Sequence, residues 1–290
     1  MANPSYRLVK LPNGSCSIHS LAHHETFHPV IGPAAEAEAL YVRQLGLAER
    51  LRGHSGPFVI WDVGLGAAAN PVSVLRATCD VPCSIQVVSF DHTIEPLRFA
   101  LQQSAELQYL AGYESHLATL IEKQSVSFQN RAQSVAWELR VGDFPALLAR
   151  PGAKDFPAPH VILYDPFSPA KNPAMWVQPV FARLHQLLDP QRPCALPTYS
   201  RSTMLRVSLL LAGFFVGAGH ATGEKEETTI ATNTLALIAE PLDQKWLQRV
   251  RRSTSAEPLW DPIYRQAPLS QDCWEKLQEH PQFRALGKAN

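Results

Sequence analysis

Residues 58–70 read FVIWDVGLGAAAN, and this stretch decides the fold. An apolar run of strand length ends at Val63 in a turn of small residues, which leads into a helix-forming segment. Gly64 and Gly66 allow the backbone amides of such a turn to approach a ligand closely. Ala68 stands where a longer fingerprint has its third glycine, which disfavours a pyrophosphate-binding site. Taken alone, the segment is equally compatible with a tight turn that binds no ligand.

Apolar runs alternate with amphipathic stretches through the middle of the chain. After residues 58–64 come SIQVVSF, AWELRVG, HVILYDPF and CALPTYS, each followed by a predicted helix. Short apolar runs separated by helices are typical of βαβ units in a parallel sheet that is covered on both faces. Farther on, FFVGAG and TTIATNTLALIAE are predicted to pair antiparallel. We therefore predict an α/β, Rossmann-like fold that binds its ligands at the carboxyl edge of an open sheet.

Two smaller segments flank this core. Residues 6–20 alternate around the turn sequence Pro12-Asn13-Gly14, which predicts an N-terminal β-hairpin, and a helix is predicted from Gly32. Residues 241–290 contain short helical pieces between proline-bearing loops. The predicted division is an N-terminal hairpin and helix at 1–50, a Rossmann-like domain at 51–240 and a C-terminal helical appendage at 241–290.

The composition is that of a folded protein without a charge bias. The 290 residues are 46% hydrophobic, and 26 basic residues balance 26 acidic ones. Because the whole molecule carries no positive field, a nucleic-acid partner would have to be held by a local patch. The five cysteines are irregularly spaced, which favours reduced thiols and indicates no metal site. Without a long apolar segment, we expect no membrane association and a cytoplasmic protein.

Two acidic residues follow predicted strands at the same edge as the glycine turn. Asp91 comes directly after SIQVVSF, where a carboxylate can accept both hydrogen bonds of a ribose diol. Asp143 follows the strand AWELRVG, where it can accept a bond from an adenine amino group. Each carboxylate can alternatively cap a helix. Together with the glycine turn they favour an adenosine-type cofactor, and the shortened glycine pattern favours S-adenosylmethionine over NAD.

The segment VILYDPFSPAKNPAMW, residues 161–176, is the most specific in the chain. Asp165 ends a strand at the predicted active edge, Pro166 stiffens the exit loop, and Phe167 presents an aromatic face. This arrangement resembles the Asp-Pro-Pro-aromatic motif of amino methyltransferases. A carboxylate there can accept the protons of an amine and orient its lone pair toward a methyl donor. The alternative is a rigid loop with a capping aspartate.

From this segment outward the sequence resembles the methyltransferase domain of the MnmC family. Residues 164–176 resemble its Asp-Gly-Phe-x-Pro-x-Lys-Asn-Pro-x-Met-Trp stretch, and residues 62–70 resemble its Glu-x-Gly-x-Gly-x-Gly-x-Asn motif. Other similar stretches follow the order of the family: residues 25–28, 32–38, 198–200, 207–214 and the loop Gly223-Glu-Lys-Glu-Glu227. The resemblance runs from about residue 10 to about residue 255.

The resemblance implies a class I S-adenosylmethionine-dependent methyltransferase that modifies tRNA. The family methylates the exocyclic amine of 5-aminomethyl(-2-thio)uridine at the wobble position, within the anticodon stem-loop. Since the chain shows no second glycine fingerprint, it resembles a stand-alone methyltransferase domain without the FAD oxidase domain. The family motifs imply catalytic-site roles for Asp165, which faces the amine, and Phe167, which lines the base pocket. They imply cofactor-binding roles for Asp62, Gly64, Gly66, Asn70, Asp91 and Asp143.

Two other functions remain compatible with the same residues. One is a transferase acting on a small amine, either a methyltransferase or an aminopropyltransferase, on the same scaffold. The other is a non-catalytic relative that binds an adenosyl ligand, for which Ala68 and Pro166 in place of family glycines are the hints.

Two groups of side chains carry further hypotheses. His23, His24 and His28 are interpreted as part of a loop that closes over the cofactor, with ordinary surface or capping histidines as the alternative. Basic residues are candidates for contacts to RNA phosphates, with a solvated surface as the alternative: Arg201, Arg206, Lys245, Arg249, Arg251 and Arg252.

Overall fold

The computed structural model describes residues 5–222 and 226–286, with side chains as far as Arg284. Within them the chain forms two compact units. The bounds of the first unit are Met1–Phe144, Val161–Asp165 and His220–Glu226, and those of the second are Pro145–His160, Pro166–Gly219 and Glu227–Asn290. The boundaries expected near residues 50 and 240 are a division by sequence and stay a prediction.

A sheet in which strands β4, β5, β7 and β8 run parallel forms the centre of the first unit. Strand β4 lies between β5 and β8, and β5 pairs on its other side with β7. All residues of β4 after its first are buried, which is why its sequence is continuously apolar apart from Asp62. The predicted strands are confirmed with these bounds: β4 Pro57–Val63, β5 Cys83–Asp91, β7 Gln133–Val141 and β8 Val161–Tyr164.

One strand of this sheet was not predicted. Strand β6, Ser125–Asn130, pairs antiparallel with β7, with Val126 opposite Trp137 and Phe128 opposite Val135. Between β5 and β7 the sequence predicted only a helix. Its two half-buried apolar residues alternate with polar ones, a pattern too short to stand out, although it fits an edge strand with one solvated face.

The predicted N-terminal hairpin is confirmed. Strands β1, Tyr6–Lys10, and β2, Cys16–Ser20, pair antiparallel, and the short β3, Glu25–Thr26, continues the sheet beside β2. The first unit also contains helices, one of which starts at Pro33 and continues as a π-helix at Glu38–Arg43. Its α-helices are α1 Pro33–Ala37, α2 Leu47–Arg52, α3 Ala69–Thr78, α4 Glu95–Gln102, α5 Ser104–Leu107 and α6 Glu114–Lys123.

The second unit contains three strands and the later helices. Strand β11, Thr228–Thr232, pairs antiparallel with β10, Phe215–Gly219, as predicted, and on its other side with β9, Ala195–Thr198. Helix α7, Phe144–Ala149, leads into this unit. The following α-helices are α8 Gln178–Leu187, α9 Thr203–Leu211, α10 Gln244–Val250, α11 Gln271–Gln278 and α12 Pro281–Leu286. Single 3-10 turns occur at Pro151–Asp155, Pro173–Trp176 and Leu235–Leu237.

The last helices are packed into the second unit. Gln282 is fully buried, and its side-chain amide donates to the carbonyls of Val216 and Leu242, both at 2.8 Å. Its Oε1 accepts from the Val216 amide, also at 2.8 Å. One glutamine therefore satisfies backbone groups of two other segments. Over the described part of the chain, no helix has the length and apolarity needed to cross a membrane.

We expect Gly217→Ala to destabilise the second unit. A Cβ at Gly217 would overlap Cγ2 of Ile238 and lie 2.6 Å from the Glu240 carbonyl oxygen, and a backbone atom cannot move aside easily. Overpacking of this kind costs about 1–3 kcal/mol, measurable by urea unfolding. Gly152→Ala is the control, since its Cβ would meet nothing nearer than Asp155 Oδ2 at 3.5 Å. Equal stability of the two variants would contradict the expectation.

Candidate active site

The carboxyl ends of the four parallel strands meet at one edge of the first unit. The Gly142 amide donates to the Asp91 carbonyl at 2.8 Å, which holds the ends of β5 and β7 together. The Asp165 amide donates to the Val63 carbonyl at 3.0 Å, which does the same for β4 and β8. The sheet therefore places at one edge the features that the sequence analysis expected there: the glycine turn, Asp91, Asp143 and Asp165.

The turn after β4 is left-handed at three alternate residues. The φ angle is +90° at Gly64, +51° at Gly66 and +60° at Ala68. A residue with a Cβ loses about 1–2 kcal/mol in this conformation, so that glycine is favoured and Ala68 is accommodated at a cost. A Cβ at Gly66 would lie 3.3 Å from Cε2 of Phe27. The ring of Phe27 therefore packs on the turn, and both backbone and contact restrict position 66.

Asp91 holds the glycine turn through its side chain. Its Oδ2 accepts from the Gly66 amide at 2.9 Å, and its Oδ1 accepts from the Thr93 amide at 3.2 Å. A carboxylate oxygen can accept more than one bond, so that the same group can also receive hydroxyl donors from a ligand. The end of β5 and the turn after β4 are thus fixed to each other by one side chain.

His92 interacts electrostatically with both carboxylates that are predicted to bind adenosine. Its Nδ1 lies 3.2 Å from Asp91 Oδ1. The hydrogen bond with Asp91 raises the pKa of His92, partial burial opposes this, and the charges of Asp91 and Asp143 add to the increase. Asp143 itself is exposed at the start of α7. The two carboxylates therefore act on one imidazole at the same edge of the sheet.

Asp62 lies inside the sheet. It is fully buried, its Oδ2 accepts from the Ser89 hydroxyl at 2.7 Å, and that hydroxyl accepts from the Trp137 indole N–H at 2.9 Å. Burial raises the pKa of Asp62 to about 8, the Ser89 bond acts in the opposite direction, and the charges of Asp91 and Asp165 raise it further. This chain of side chains joins β4, β5 and β7 below the glycine turn.

Asn70 connects the first turn of α3 with the end of β8. Its Nδ2 donates to Asp165 Oδ2 at 2.8 Å, although the two residues are 95 positions apart in the sequence. Asn70 is buried, and its Oδ1 has no hydrogen-bond partner in the described structure. The hydroxyl of Ser73, one helical turn later on the same face, is also buried and without a partner there. Buried polar atoms of this kind are usually satisfied, and these two fit a polar ligand group beside the turn.

Phe167 belongs to the second unit and is partly buried there. Its carbonyl accepts from the Trp176 indole N–H at 2.8 Å. Tyr199 donates from its hydroxyl to the Pro166 carbonyl at 3.2 Å, and its ring lies 6.1 Å from that of Trp176, edge-on at 81°. Both ends of the loop at residues 166–176 are therefore held by aromatic side chains.

The sequence analysis did not connect His28 with Asp165. His28 Nε2 lies 3.5 Å from Asp165 Oδ2, and its Nδ1 lies 3.8 Å from Glu36 Oε2. The cluster of histidines around position 24 was noticed, but nothing in the sequence related it to a strand end more than 130 positions later.

The prediction that Arg206 contacts RNA phosphates is wrong in this structure. Arg206 is buried, and its guanidinium donates to Thr229 Oγ1 at 3.0 Å, Glu227 Oε1 at 3.0 Å and the Thr228 carbonyl at 2.8 Å. All three guanidinium nitrogens of Arg206 therefore donate hydrogen bonds within the second unit. The other basic candidates are exposed, and Arg251 lies over the Trp274 ring at 4.8 Å. Residues 223–225 of the family-like loop lie outside the described residues.

No site of the described residues brings together three or more His, Cys, Asp or Glu side chains in a way that could hold a metal ion.

Comparisons with known proteins agree with this geometry. The sequence model of a family described as S-adenosyl-L-methionine-dependent methyltransferase matches residues 106–234. A relative from Methylibium petroleiphilum, named tRNA 5-methylaminomethyl-2-thiouridine biosynthesis bifunctional protein MnmC, is 27% identical over 229 residues, 77% of this chain and 34% of its own length. A protein of the same name from Aeromonas hydrophila is 28% identical over 212 residues, 67% of this chain and 30% of its own length. The chain thus spans about a third of the length of these curated relatives.

A solved structure shares the fold. The crystal structure of MnmC2 from Aquifex aeolicus has a TM-score of 0.69 and 20% sequence identity, and the match covers 96% of this chain and 85% of that one. The predicted α/β, Rossmann-like methyltransferase fold is thereby confirmed.

We expect Asp62→Asn to remove a pH dependence of stability. The folded-state pKa of about 8 exceeds the ordinary value of ~3.9, so the unfolded chain releases this proton first as pH rises. The free energy of unfolding of the wild type therefore falls as pH rises between these two pKa values. In Asp62→Asn this decrease is absent, because asparagine does not titrate. Between pH 5 and 7.5, the stability of Asp62→Asn relative to wild type should rise by up to about 3 kcal/mol. Parallel pH profiles in urea unfolding would contradict this.

The fold, the chemistry of the strand edge and the relatives lead to the same identification. The glycine turn and the acidic strand ends lie at one edge of the sheet, and the family that matches residues 106–234 is named for its cofactor. The chain resembles an MnmC-type methyltransferase domain, and the family model that matches residues 106–234 is described as S-adenosyl-L-methionine-dependent.

Proposed function

We propose that this chain methylates the exocyclic amine of 5-aminomethyl(-2-thio)uridine at the wobble position of tRNA. The observation that best supports this proposal is the hydrogen bond from Asn70 Nδ2 to Asp165 Oδ2, at 2.8 Å, beside the glycine turn. The relatives are named for biosynthesis of tRNA 5-methylaminomethyl-2-thiouridine, and this chain matches about a third of their length. Their substrate is therefore the first to test.

The residues at the edge fit the cofactor. S-adenosyl-L-methionine supplies an electrophilic methyl group on a sulfonium. We assign the ribose to Asp91 and the adenine amino group to Asp143, which share His92 as an electrostatic neighbour. The partnerless Oδ1 of Asn70 and hydroxyl of Ser73 are suited to the polar amino-acid end of the cofactor.

Gly64, Gly66 and Asp62 support this site in different ways. The left-handed φ angles at the two glycines form the turn, and Asp91 accepts from the Gly66 amide. Asp62 was predicted as a cofactor contact, but its side chain is fully buried and bonded to Ser89. We therefore propose that Asp62 supports the turn from below rather than touching the cofactor.

Asp165 is the group we propose for the methyl acceptor. An amine attacks only as a neutral group, with its lone pair directed at the carbon that it methylates. A carboxylate that accepts the amine's N–H bonds orients the lone pair, and Asn70 holds that carboxylate in place. Positioning and proton acceptance are sufficient for this reaction, since the acceptor displaces the leaving group in line.

We propose that the RNA is held by local contacts rather than by overall charge. The net charge of zero provides no general attraction to phosphate. Phe167, whose loop is fixed by Trp176, is proposed to line the pocket for the base. The exposed Arg201, Lys245 and Arg249 are proposed to contact phosphates. A cytoplasmic location, and the anticodon stem-loop as the bound segment, remain predictions.

The proposal is tested with purified protein, labelled cofactor and tRNA that carries 5-aminomethyluridine. We expect mass analysis of nucleosides to show one added methyl group on that base. In Asp165→Asn, kcat should fall by roughly 10²–10³-fold, while the cofactor dissociation constant, measured by calorimetry, stays within about twofold.

The control for this variant is Asp155→Asn, an exposed aspartate in the second unit. Unmodified tRNA with wild-type protein, together with methylation of free polyamines, would replace the proposal with a small-amine transferase. Unchanged turnover in Asp165→Asn would remove Asp165 from the catalytic role.

Cofactor binding should depend on Asp91. We expect Asp91→Ala to weaken the binding of S-adenosylhomocysteine by about tenfold or more, since it removes a charge-assisted acceptor and the bond to the Gly66 amide. Asp80→Ala is the matched control, because Asp80 is an exposed aspartate that bonds to Arg131. Equal affinities in calorimetry would show that Asp91 does not bind the ligand.

A further inference from the structure

We propose that His28 is a positioning residue for the methyl acceptor. In this assignment its imidazole, together with Asn70, holds the Asp165 carboxylate, and Glu36 holds the imidazole. The inference rests on the proposed role of Asp165 and extends it to a segment of the N-terminal hairpin region. It assigns a function to a histidine for which the resemblance to the family implied no role.

Two side chains converge on one oxygen of Asp165. Asn70 Nδ2 donates to Oδ2 at 2.8 Å, and His28 Nε2 lies 3.5 Å from the same atom. The side chains of His28 and Asp165 are only 11% and 13% exposed. Screening by water is therefore weak, and an interaction at this distance is stronger than on the surface. The contact is long for a hydrogen bond, in the range where catalytic contacts tighten when the substrate binds.

Glu36 is the third member of this group. It lies in α1, its side chain is 9% exposed, and its Oε2 is 3.8 Å from His28 Nδ1. A buried carboxylate requires a partner, and the imidazole is the one that the ion pair provides. Because an imidazole always carries at least one N–H, an N–H of His28 faces one of the two carboxylates in either tautomer, at 3.5 Å from Asp165 or 3.8 Å from Glu36.

The backbone around Phe27 explains how His28 reaches Asp165. The Phe27 amide donates to the Ile18 carbonyl at 2.9 Å, and the Ser17 hydroxyl donates to the Phe27 carbonyl. The Phe27 ring packs against Gly66 of the glycine turn. Anchored on both sides, the next residue extends toward the end of β8.

His28 also has a strained backbone. Its φ angle is +46°, which is uncommon for a residue with a side chain. Such conformations are unfavourable, persist where the surroundings enforce them and cluster at functional sites. His24 has a similar φ angle of +51°, but its side chain is exposed. The pair provides a matched comparison, with the same residue type and backbone region but only one of them beside Asp165.

The expected consequence is a loss of orientation rather than of binding. Without the imidazole, Asp165 Oδ2 would lose one of the two side chains that converge on it, and the carboxylate could rotate away from the position that receives the amine. Cofactor contacts are assigned to the glycine turn and to Asp91. We therefore expect the affinity for the cofactor to stay the same when the His28 imidazole is removed.

The first experiment measures the contact without catalysis. Long-range ¹H–¹⁵N spectra detect the ring nitrogens of histidines, and the signals of His28 are assigned by their loss in His28→Asn. We expect Asp165→Asn to shift the Nε2 resonance of His28, Glu36→Gln to shift the Nδ1 resonance, and His24→Asn to shift neither. If the His28 signals are the same with and without the Asp165 carboxylate, the proposal is overturned.

The second experiment measures the effect on turnover. Asparagine tolerates the left-handed backbone but cannot reach Asp165, whereas the longer amide of glutamine can. We expect kcat of His28→Asn to fall by about 10–100-fold, as misplacement of a reacting group does. His28→Gln should recover part of that loss, and His24→Asn should resemble wild type. The dissociation constant of S-adenosylhomocysteine should stay within about twofold in all of them.

The outcomes separate the two proposals. An inactive wild-type protein would reject the proposed function, while the spectra would still decide whether His28 senses Asp165. An active wild type with undiminished turnover in His28→Asn would reject the role of His28 alone. A glutamine variant no better than asparagine, or a loss of cofactor affinity equal to the loss of kcat, would reduce His28 to a structural role and overturn the proposal.

Discussion

Parallel pairing of β4 between β5 and β8 is the constraint on which the site depends. It brings the ends of strands that are distant in sequence to one edge, with Val63 opposite Phe90 on one side and Tyr164 on the other. The acidic residues that follow two of these strands then lie beside the turn that follows the third. Parallel strands leave their carboxyl ends open to ligands, so this edge is where a cofactor can bind.

Side chains beneath and beside the edge stabilise this arrangement. The buried Asp62, Ser89 and Trp137 connect three neighbouring strands inside the sheet by hydrogen bonds. At the surface of the edge, Asp91 bonds the turn and Asn70 bonds Asp165. The carboxylates of Asp91 and Asp165 are thus each held by another polar group, which is what a site needs when positioning carries most of the catalytic effect.

The sequence predicted the fold and the strand-end residues because both follow from local patterns. Apolar runs of strand length and small-residue turns can be recognised without knowledge of tertiary contacts. For this reason the sequence predicted the strands that end at Val63, Asp91, Val141 and Tyr164. Strand β6 was missed because half its residues are exposed and its pattern is short. The His28 contact was missed for a different reason, since it joins two segments whose proximity only the folded sheet establishes.

The same limit explains the corrections. Arg206 looked like a surface cation because charge alone does not reveal burial, yet it satisfies three acceptors inside the second unit. Asp62 was expected to bind the cofactor because it stands in the stretch that resembles the glycine motif of the family. Both faces of β4 are buried, and the Asp62 side chain is fully buried and bonded to Ser89.

The buried amide of Gln282 affects how the chain can be engineered. Its bonds to Val216 and Leu242 satisfy backbone groups of two buried residues. A protein shortened before Pro281 would leave the buried Val216 amide and Leu242 carbonyl without this partner. The helical end is therefore unsuited to trimming. An affinity tag with a cleavable linker is better attached beyond it, where removal of the tag leaves the glutamine in place.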